Sequence, residues 1–207
     1  MISTLPNQLT TLRILLTPLF VGLFVSDSPK LKLWGVFVFI LASLTDLYDG
    51  YHARKYGQIT RWGAFMDPLA DKILITSAFL IFVYEGFLPL WLVVIVALRD
   101  IVVTLLRLYA EIQNKPVVTS KSAKIKTLFQ NVLAYVLLLL DTLRQKSFFG
   151  SSIAENALTW LKSPSVLWAM IFLTIFTVYT GFSYIIENSK TLREAYLGIR
   201  SNIKAIV

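Results

Sequence analysis

Apolar residues gather in six stretches, at roughly 9–26, 31–55, 61–86, 88–111, 122–143 and 165–187, each of helical length. Turn and charge signals separate them: SDSPK at 26–30, EGFLP at 85–89, QNKP at 113–116, and a longer segment from Arg144 to Pro164. The pattern predicts an all-α integral membrane protein, a six-transmembrane-helix bundle forming one domain over residues 1–207. No internal repeat or low-complexity tract interrupts it.

The uncharged runs inside these stretches are short. Ile14 to Ser26 is 13 residues, Leu33 to Thr45 is 13, Ile73 to Tyr84 is 12, Gly86 to Leu98 is 13 and Thr127 to Leu140 is 14. A hydrocarbon core about 30 Å thick needs about 20 apolar residues, whereas about 13 cover only roughly 20 Å. Each run stops on one side at a charge: Arg13, Asp46, Asp71 with Lys72, Arg99 with Asp100, and Lys126. Only the last stretch, Val166 to Ile186, stays uncharged over a full span. Five helices thus turn polar at a similar depth, which predicts a polar cavity open to the cytoplasm and walled by the first five.

Composition supports the membrane reading, with 56% hydrophobic residues, 15% charged residues and a mean hydropathy of +0.67. Arg13 inside the first stretch, with no small-residue cleavage site after it, argues against a cleaved signal peptide. Arg54, Lys55, Arg61, Lys115, Lys121, Lys124, Lys126, Lys190, Arg193, Arg200 and Lys204 fall on one side. Lys30, Lys32, Arg144, Lys146 and Lys162 fall on the other, which predicts cytoplasmic N and C termini. The net charge of +8 suits an anionic lipid surface, and no nucleic-acid partner is expected. Without cysteine, any metal must be held by oxygen or by the lone His52, itself better suited to a supporting or interface position. Trp34, Trp62, Trp91, Trp160 and Trp168 suit interface-belt or packing positions.

Helical phase brings the acids together. Asp46 and Asp49 are i and i+3 on the second stretch, near Gly50 and Ala53; Asp67 and Asp71 are i and i+4 on the third, with Gly63 one turn before. Four carboxylates in a low dielectric repel unless neutralised, and a divalent cation, or two, is the economical neutraliser. Asp67 before Pro68 would also read as a helix start, and Asp49-Gly50 as a turn, but neither explains paired acids on two helices. Arg99, Arg107, Lys121, Lys124 and Lys126 form a basic group suited to an anionic ligand. Asp100 and Arg107, seven residues apart, could instead form an internal ion pair.

Asp46, Asp49-Gly50, Ala53-Arg54, Gly63, Asp67 and Asp71 occupy all eight fixed positions of the signature of the CDP-alcohol phosphotransferase family, at its spacing. The chain resembles that family, whose members are six-helix membrane bundles, usually homodimers. They transfer a substituted phosphate from a CDP-linked donor to an alcohol and release CMP, with Mg²⁺ or Mn²⁺ at the aspartates. The resemblance implies Asp46, Asp49 and Asp67 as ligands of two metal ions, and Asp71 as general base that also touches the second. Gly50, Ala53, Arg54 and Gly63 would line the nucleotide and diphosphate site.

The segments PNQLTTLRILLTPLF, ARKYGQITRWGAFMDPLADKI, ALRDIV and SAKIKTLFQNV are similar, over roughly residues 5–135, to the bacterial phosphatidylglycerophosphate synthase branch of the family. That likeness implies CDP-diacylglycerol as donor, sn-glycerol 3-phosphate as acceptor, and the bacterial inner (cytoplasmic) membrane as location. Asn7, Thr10 and Arg13 become candidates for the donor headgroup, unless they merely begin an interfacial helix. Arg99, Arg107, Lys121, Lys124 and Lys126 become candidates for the acceptor phosphate. Asp100 and Ala123 depart from the branch, which commonly has glutamate and glycine there, and this bears on the acceptor contacts. A cardiolipin synthase, with phosphatidylglycerol as acceptor, would keep the same aspartates. A metal-ion or solute transporter would more often show inverted repeats and broken helices.

Overall fold

The computed structural model describes residues 5–56, 61–112 and 120–189, and their side chains except at 5, 6, 46–56, 61, 62, 64, 65 and 112. Among the described residues there are seven helices and no strands: α1 (Leu5–Phe24), α2 (Pro29–Tyr56), α3 (Arg61–Tyr84), α4 (Leu90–Ile112), α5 (Lys121–Leu143), α6 (Lys146–Leu161) and α7 (Pro164–Glu187). Six correspond to the apolar stretches. The first starts four residues before the expected 9 and ends at Phe24, ahead of the bend through Val25–Asp27.

The seventh, α6, lies in the segment read as a connection. Its sequence, KSFFGSSIAENALTWL, is broken at Gly150, whose φ of 78° and ψ of 168° interrupt the helical path. That backbone position suits glycine alone, and the break left no sustained period to detect. Beyond it Ala154, Ala157 and Leu161 bury one face, and Ser163 with Pro164 at the first turn starts α7.

Packing joins α1 to α2 and α3, α3 to α4, α4 to α7, and α5 to α6 and α7. The α1–α2–α3 seam is built on phenylalanine. Phe20 lies 5.7 Å from Phe24 and 5.0 Å from Phe39, and Phe24 lies 6.3 Å from Phe82, ring centre to ring centre. All four are fully buried. Offset and edge-on contacts of this kind add about 0.5–1.5 kcal/mol per pair beyond area burial.

The α1–α2 turn is tight because Gly35 lets α2 touch the end of α1. A Cβ there would lie 3.1 Å from the Phe24 backbone nitrogen and 3.3 Å from its Cα. Backbone cannot step aside as a side chain end can, so Gly35→Ala is expected to cost about 1–3 kcal/mol. A lowered midpoint of thermal unfolding in detergent, with no change in the far-UV helical signal of the folded protein, is the check.

At the end of the bundle holding the α3–α4 turn, Glu85 is clasped from two sides. Lys32 of α2 and Arg144, the C-cap of α5, both donate to its carboxylate, and Arg144 also donates to Asp141. The Arg144 guanidinium lies over Phe87 at 5.3 Å and the Lys32 ammonium over Phe24 at 5.4 Å. Lys32, Glu85 and Arg144 also line a cavity of about 480 Å³ with Asp27, Glu155 and Leu158. This cavity is well away from Asp71 and Asp67, which lie 13 and 17 residues before Tyr84 on α3, about 20 and 26 Å at 1.5 Å per residue.

By length and composition, α5 and α7 are apolar enough to cross a membrane, with mean hydropathies of 1.4 and 1.8. The outward faces of other helices are also apolar: Leu15, Trp34, Phe37, Trp91 and Leu98 are all more than half exposed, as are Trp160 and Trp168. Four of the five tryptophans therefore point outward, as belt positions do; the side chain of Trp62 lies outside the described ones. The basic residues after position 189, on which the orientation of the C terminus rests, also lie outside the described residues.

Candidate active site

Asp67 and Asp71 sit one turn apart inside α3, each partly buried, with buried Gly63 one turn before Asp67. Because α3 already begins at Arg61 and carries Pro68 in its interior, Asp67 is not a helix cap. The α2 helix likewise runs unbroken through Asp49-Gly50 to Tyr56, so the turn reading of that pair is also overturned. The side chains of Asp46, Asp49, Gly50, His52, Ala53 and Arg54 lie outside the described ones.

A fully buried face of α1 meets the α3 acids. Asn7, Thr10 and Arg13, three residues apart in succession near the start of α1, are 1%, 0% and 0% exposed. Thr10 donates its hydroxyl proton to Asp67 Oδ1. Arg13 Nε donates to the Ala42 carbonyl of α2 at 3.3 Å, and its charge acts on Asp67. Thus α1 orients an acid and pins α2 beside it, a role the sequence had not distinguished from headgroup binding. Asp71 pairs with its neighbour Lys72 at 3.5 Å and is a quarter exposed.

The described half of the acidic set has the chemistry of a hard-cation site. The Thr10 bond falls on one Asp67 oxygen, and all remaining donors are carboxylate oxygens of the kind Mg²⁺ and Mn²⁺ take. Among the described residues no three His, Cys, Asp or Glu converge, and Asp46 and Asp49 would have to complete the set.

A second polar group lies across α4, α5 and α7. Lys126 Nζ, fully buried, contacts Asp100 Oδ1 at 2.6 Å and Oδ2 at 2.7 Å and donates to Gln130 Oε1 at 2.5 Å. Arg99 Nη1 donates to Asp100 Oδ1 at 3.2 Å, and Nη2 donates to Thr180 Oγ1 at 2.9 Å. Two expectations change. Asp100 pairs with Lys126 and Arg99 rather than with Arg107, because the long Lys126 side chain reaches it from α5. Lys126 is therefore spent inside the protein and does not face an acceptor. Arg107, Lys121 and Lys124 are exposed, while Arg99 keeps 14% of its side chain exposed.

These contacts bear on the common depth inferred from the charged run ends. Lys126 meets Asp100, so the run ends of α4 and α5 lie side by side, while Thr10 meets Asp67 and Arg13 meets Ala42 short of the run ends of α3 and α2. Lys72, adjacent to Asp71, is near enough to act electrostatically on both Asp100 and Lys126.

The last helix takes part as well, although its uncharged run had set it apart from the polar wall. Thr174, Thr177, Thr180, Gly181 and Tyr184 form one buried face of α7. Their spacing of three and four residues was a legible signal, overlooked because it carries no charge.

The fold and both polar groups can be set beside known proteins. The description of the CDP-alcohol phosphatidyltransferase family matches residues 3–168, which takes in α1 to α6 and every candidate site residue named from the sequence. The chain is 34% identical over 201 residues to the CDP-diacylglycerol–glycerol-3-phosphate 3-phosphatidyltransferase of Bacillus subtilis (strain 168), covering 91% of this chain and 97% of that one. It is 33% identical over 180 residues to the enzyme of the same name from Rickettsia bellii, covering 87% and 94%. To the probable phosphatidylglycerophosphate synthase of Mycobacterium tuberculosis (strain H37Rv) it is 40% identical over 136 residues, covering 63% and 64%. A match of this length, running through the acids of α3 and the buried face of α1, leaves one conclusion: the chain belongs to the CDP-alcohol phosphatidyltransferase family.

Proposed function

We infer that this chain transfers the phosphatidyl group of CDP-diacylglycerol to sn-glycerol 3-phosphate, giving phosphatidylglycerol phosphate and CMP. The observation that carries the reading is the end-to-end similarity to the Bacillus subtilis enzyme of that name. A chemical reason supports it: Asp67 and Asp71 share one face of α3, and Arg99, 14% exposed, is held by Asp100 and Thr180.

In this reading Asp71 accepts the proton of the acceptor hydroxyl as its oxygen attacks the phosphatidyl phosphorus, and the bond from that phosphorus to CMP breaks. Thr10 fixes the rotamer of Asp67 so that its free oxygen faces the donor. Asp46, Asp49, Asp67 and Asp71 would hold Mg²⁺ or Mn²⁺, one ion or two, which supplies charge neutralisation to the diphosphate and to departing CMP. Gly50, Ala53, Arg54 and Gly63 lie where the nucleotide and diphosphate approach the α2–α3 junction. Arg99, of the five basic candidates, is the one both partly exposed and rigidly held, and it receives the acceptor phosphate.

The same reading makes α1 to α5 and α7 six spans of a bacterial inner membrane, with both termini cytoplasmic and α6 at the outer end. The outward apolar faces support it. A polar cavity opening at the inner end lets the donor's acyl chains stay in hydrocarbon while its headgroup meets a water-borne acceptor. A homodimer follows from the family resemblance.

The test is reconstitution of the full chain in liposomes with CDP-diacylglycerol, labelled glycerol 3-phosphate and Mg²⁺. Label entering lipid in step with CMP release, and lost on chelation, is the expected result. Turnover with phosphatidylglycerol and not with glycerol 3-phosphate would move the assignment to a cardiolipin synthase, and absence of CMP release with any alcohol would defeat it.

A further inference from the structure

Arg99 is held in an unusual way for a cation offered to a ligand, because its stem passes through a notch in the neighbouring helix. A Cβ built on Gly181 of α7 would lie 3.1 Å from Arg99 Cγ, 3.2 Å from Nε and 3.7 Å from Cδ. A side chain at 181 therefore presses on the arginine stem, which would have to give by a few tenths of an ångström. Small residues commonly let membrane helices approach closely, but here the close approach admits a charged side chain from the partner helix.

The far end of the side chain is fixed with equal care. Thr180 Oγ1 donates to the Thr177 carbonyl at 3.0 Å, so its hydrogen is committed to its own helix and its lone pairs accept Arg99 Nη2 at 2.9 Å. Asp100 takes Nη1 at 3.2 Å and is itself locked by Lys126 through both oxygens. A guanidinium is a planar fork whose usefulness to a phosphate depends on its plane. With two donors tied to α4 and α7 and the stem confined, that plane is set by the protein.

We propose that Thr180 and Gly181 of α7 are positioning residues for acceptor binding: the notch at Gly181 and the hydroxyl of Thr180 set the plane in which Arg99 presents its remaining guanidinium hydrogens to the acceptor phosphate. This rests on the reading that Arg99 contacts that phosphate. It gives α7 a part in acceptor affinity although the helix bears no charge from Val166 to Ile186. A methyl at 181 pushes the stem by a few tenths of an ångström while both ends of the guanidinium stay tied, so the displacement passes into its plane. Valine at 180 removes one tie outright.

The experiment measures KM for glycerol 3-phosphate and for CDP-diacylglycerol separately, with kcat, for the full chain in liposomes. Gly181→Ala and Thr180→Val should each raise KM for glycerol 3-phosphate about tenfold, the scale of one hydrogen bond to a charged group. KM for CDP-diacylglycerol should stay within about twofold, and Thr180→Ser, which keeps the hydroxyl, should stay near the parent. Thr174→Val is the control for α7 packing, since its hydroxyl bonds the Met170 carbonyl of its own helix, and it should leave both constants unchanged. Arg99→Ala separates the two ideas. If it raises the acceptor KM while the α7 variants do not, the cradle is wrong and the role of Arg99 stands. If Arg99→Ala leaves the acceptor KM unchanged, the role of Arg99 is wrong and the proposal falls with it. Both KM values rising in step in the α7 variants would mark a merely structural part and overturn the proposal. Should Gly181→Ala fail to fold, Thr180→Val and its serine rescue decide.

Discussion

Asp71→Asn should lower kcat by about a thousandfold, within the range spanned by removal of a general base, and leave the protein folded. The amide matches the carboxylate in shape but cannot take a proton from the acceptor hydroxyl. The fold has little stake in this side chain, which is a quarter exposed and pairs with Lys72 at 3.5 Å, an arrangement worth about 0–1 kcal/mol. CMP release by reconstituted protein measures the first effect, and the midpoint of thermal unfolding the second. Asp67→Asn makes an instructive contrast, because Asp67 also receives the Thr10 hydroxyl and so ties α3 to α1. It should cost stability as well as rate. If Asp71→Asn kept kcat within about tenfold of the parent, the base would have to be sought elsewhere.

The second large effect is on stability. Lys126→Met should destabilise the protein by about 3–5 kcal/mol, the usual result of stranding one partner of a buried pair. Lys126 is fully buried and Asp100 is 2% exposed, so no solvent reaches the carboxylate left behind, and Arg99 at 3.2 Å is the tie that remains to it. Removing both charges tells more. Lys126→Met with Asp100→Leu should recover most of the loss, because an apolar pair of similar volume bears no desolvation cost. Thermal unfolding of the two single variants and the double variant closes the cycle and isolates the coupling. The double variant should nevertheless bind glycerol 3-phosphate less well, since Arg99 has lost one of its two anchors. A stable double variant with parental acceptor KM would show that the ion pair serves the fold alone.

The helices were legible because charge marks their limits: the run ends at Arg13, Asp71, Arg99 and Lys126 gave a common depth, and Lys126 does meet Asp100 there. Spacing within a helix fixes which residues share a face, and this sufficed for Asp67 with Asp71 and for Asn7, Thr10 and Arg13. It does not tell which helix that face will meet. Hence the alternative pairing of Asp100 with Arg107 on its own helix gives way to Lys126 of α5 and the adjacent Arg99. Thr10 escaped assignment to Asp67 for the same reason, since 57 residues separate them. The α6 helix was missed because Gly150 breaks its period after one turn. The Thr180–Gly181 notch was hidden by a different rule, that attention goes to charges, whereas what matters there is an absent Cβ.

The buried pair also bears on how such a chain enters a bilayer. An Asp, Lys or Arg near the centre of a lone spanning helix costs about 2.5–3.5 kcal/mol. α4 carries Arg99, Asp100 and Arg107, and it is not among the helices apolar enough to cross by composition. What makes its charges tolerable is the ammonium of α5 and the hydroxyl of α7, both of which emerge from the ribosome later. In the six-span reading α4 is thus a poor inserter on its own, and it settles into the lipid only once α5 and α7 have joined it.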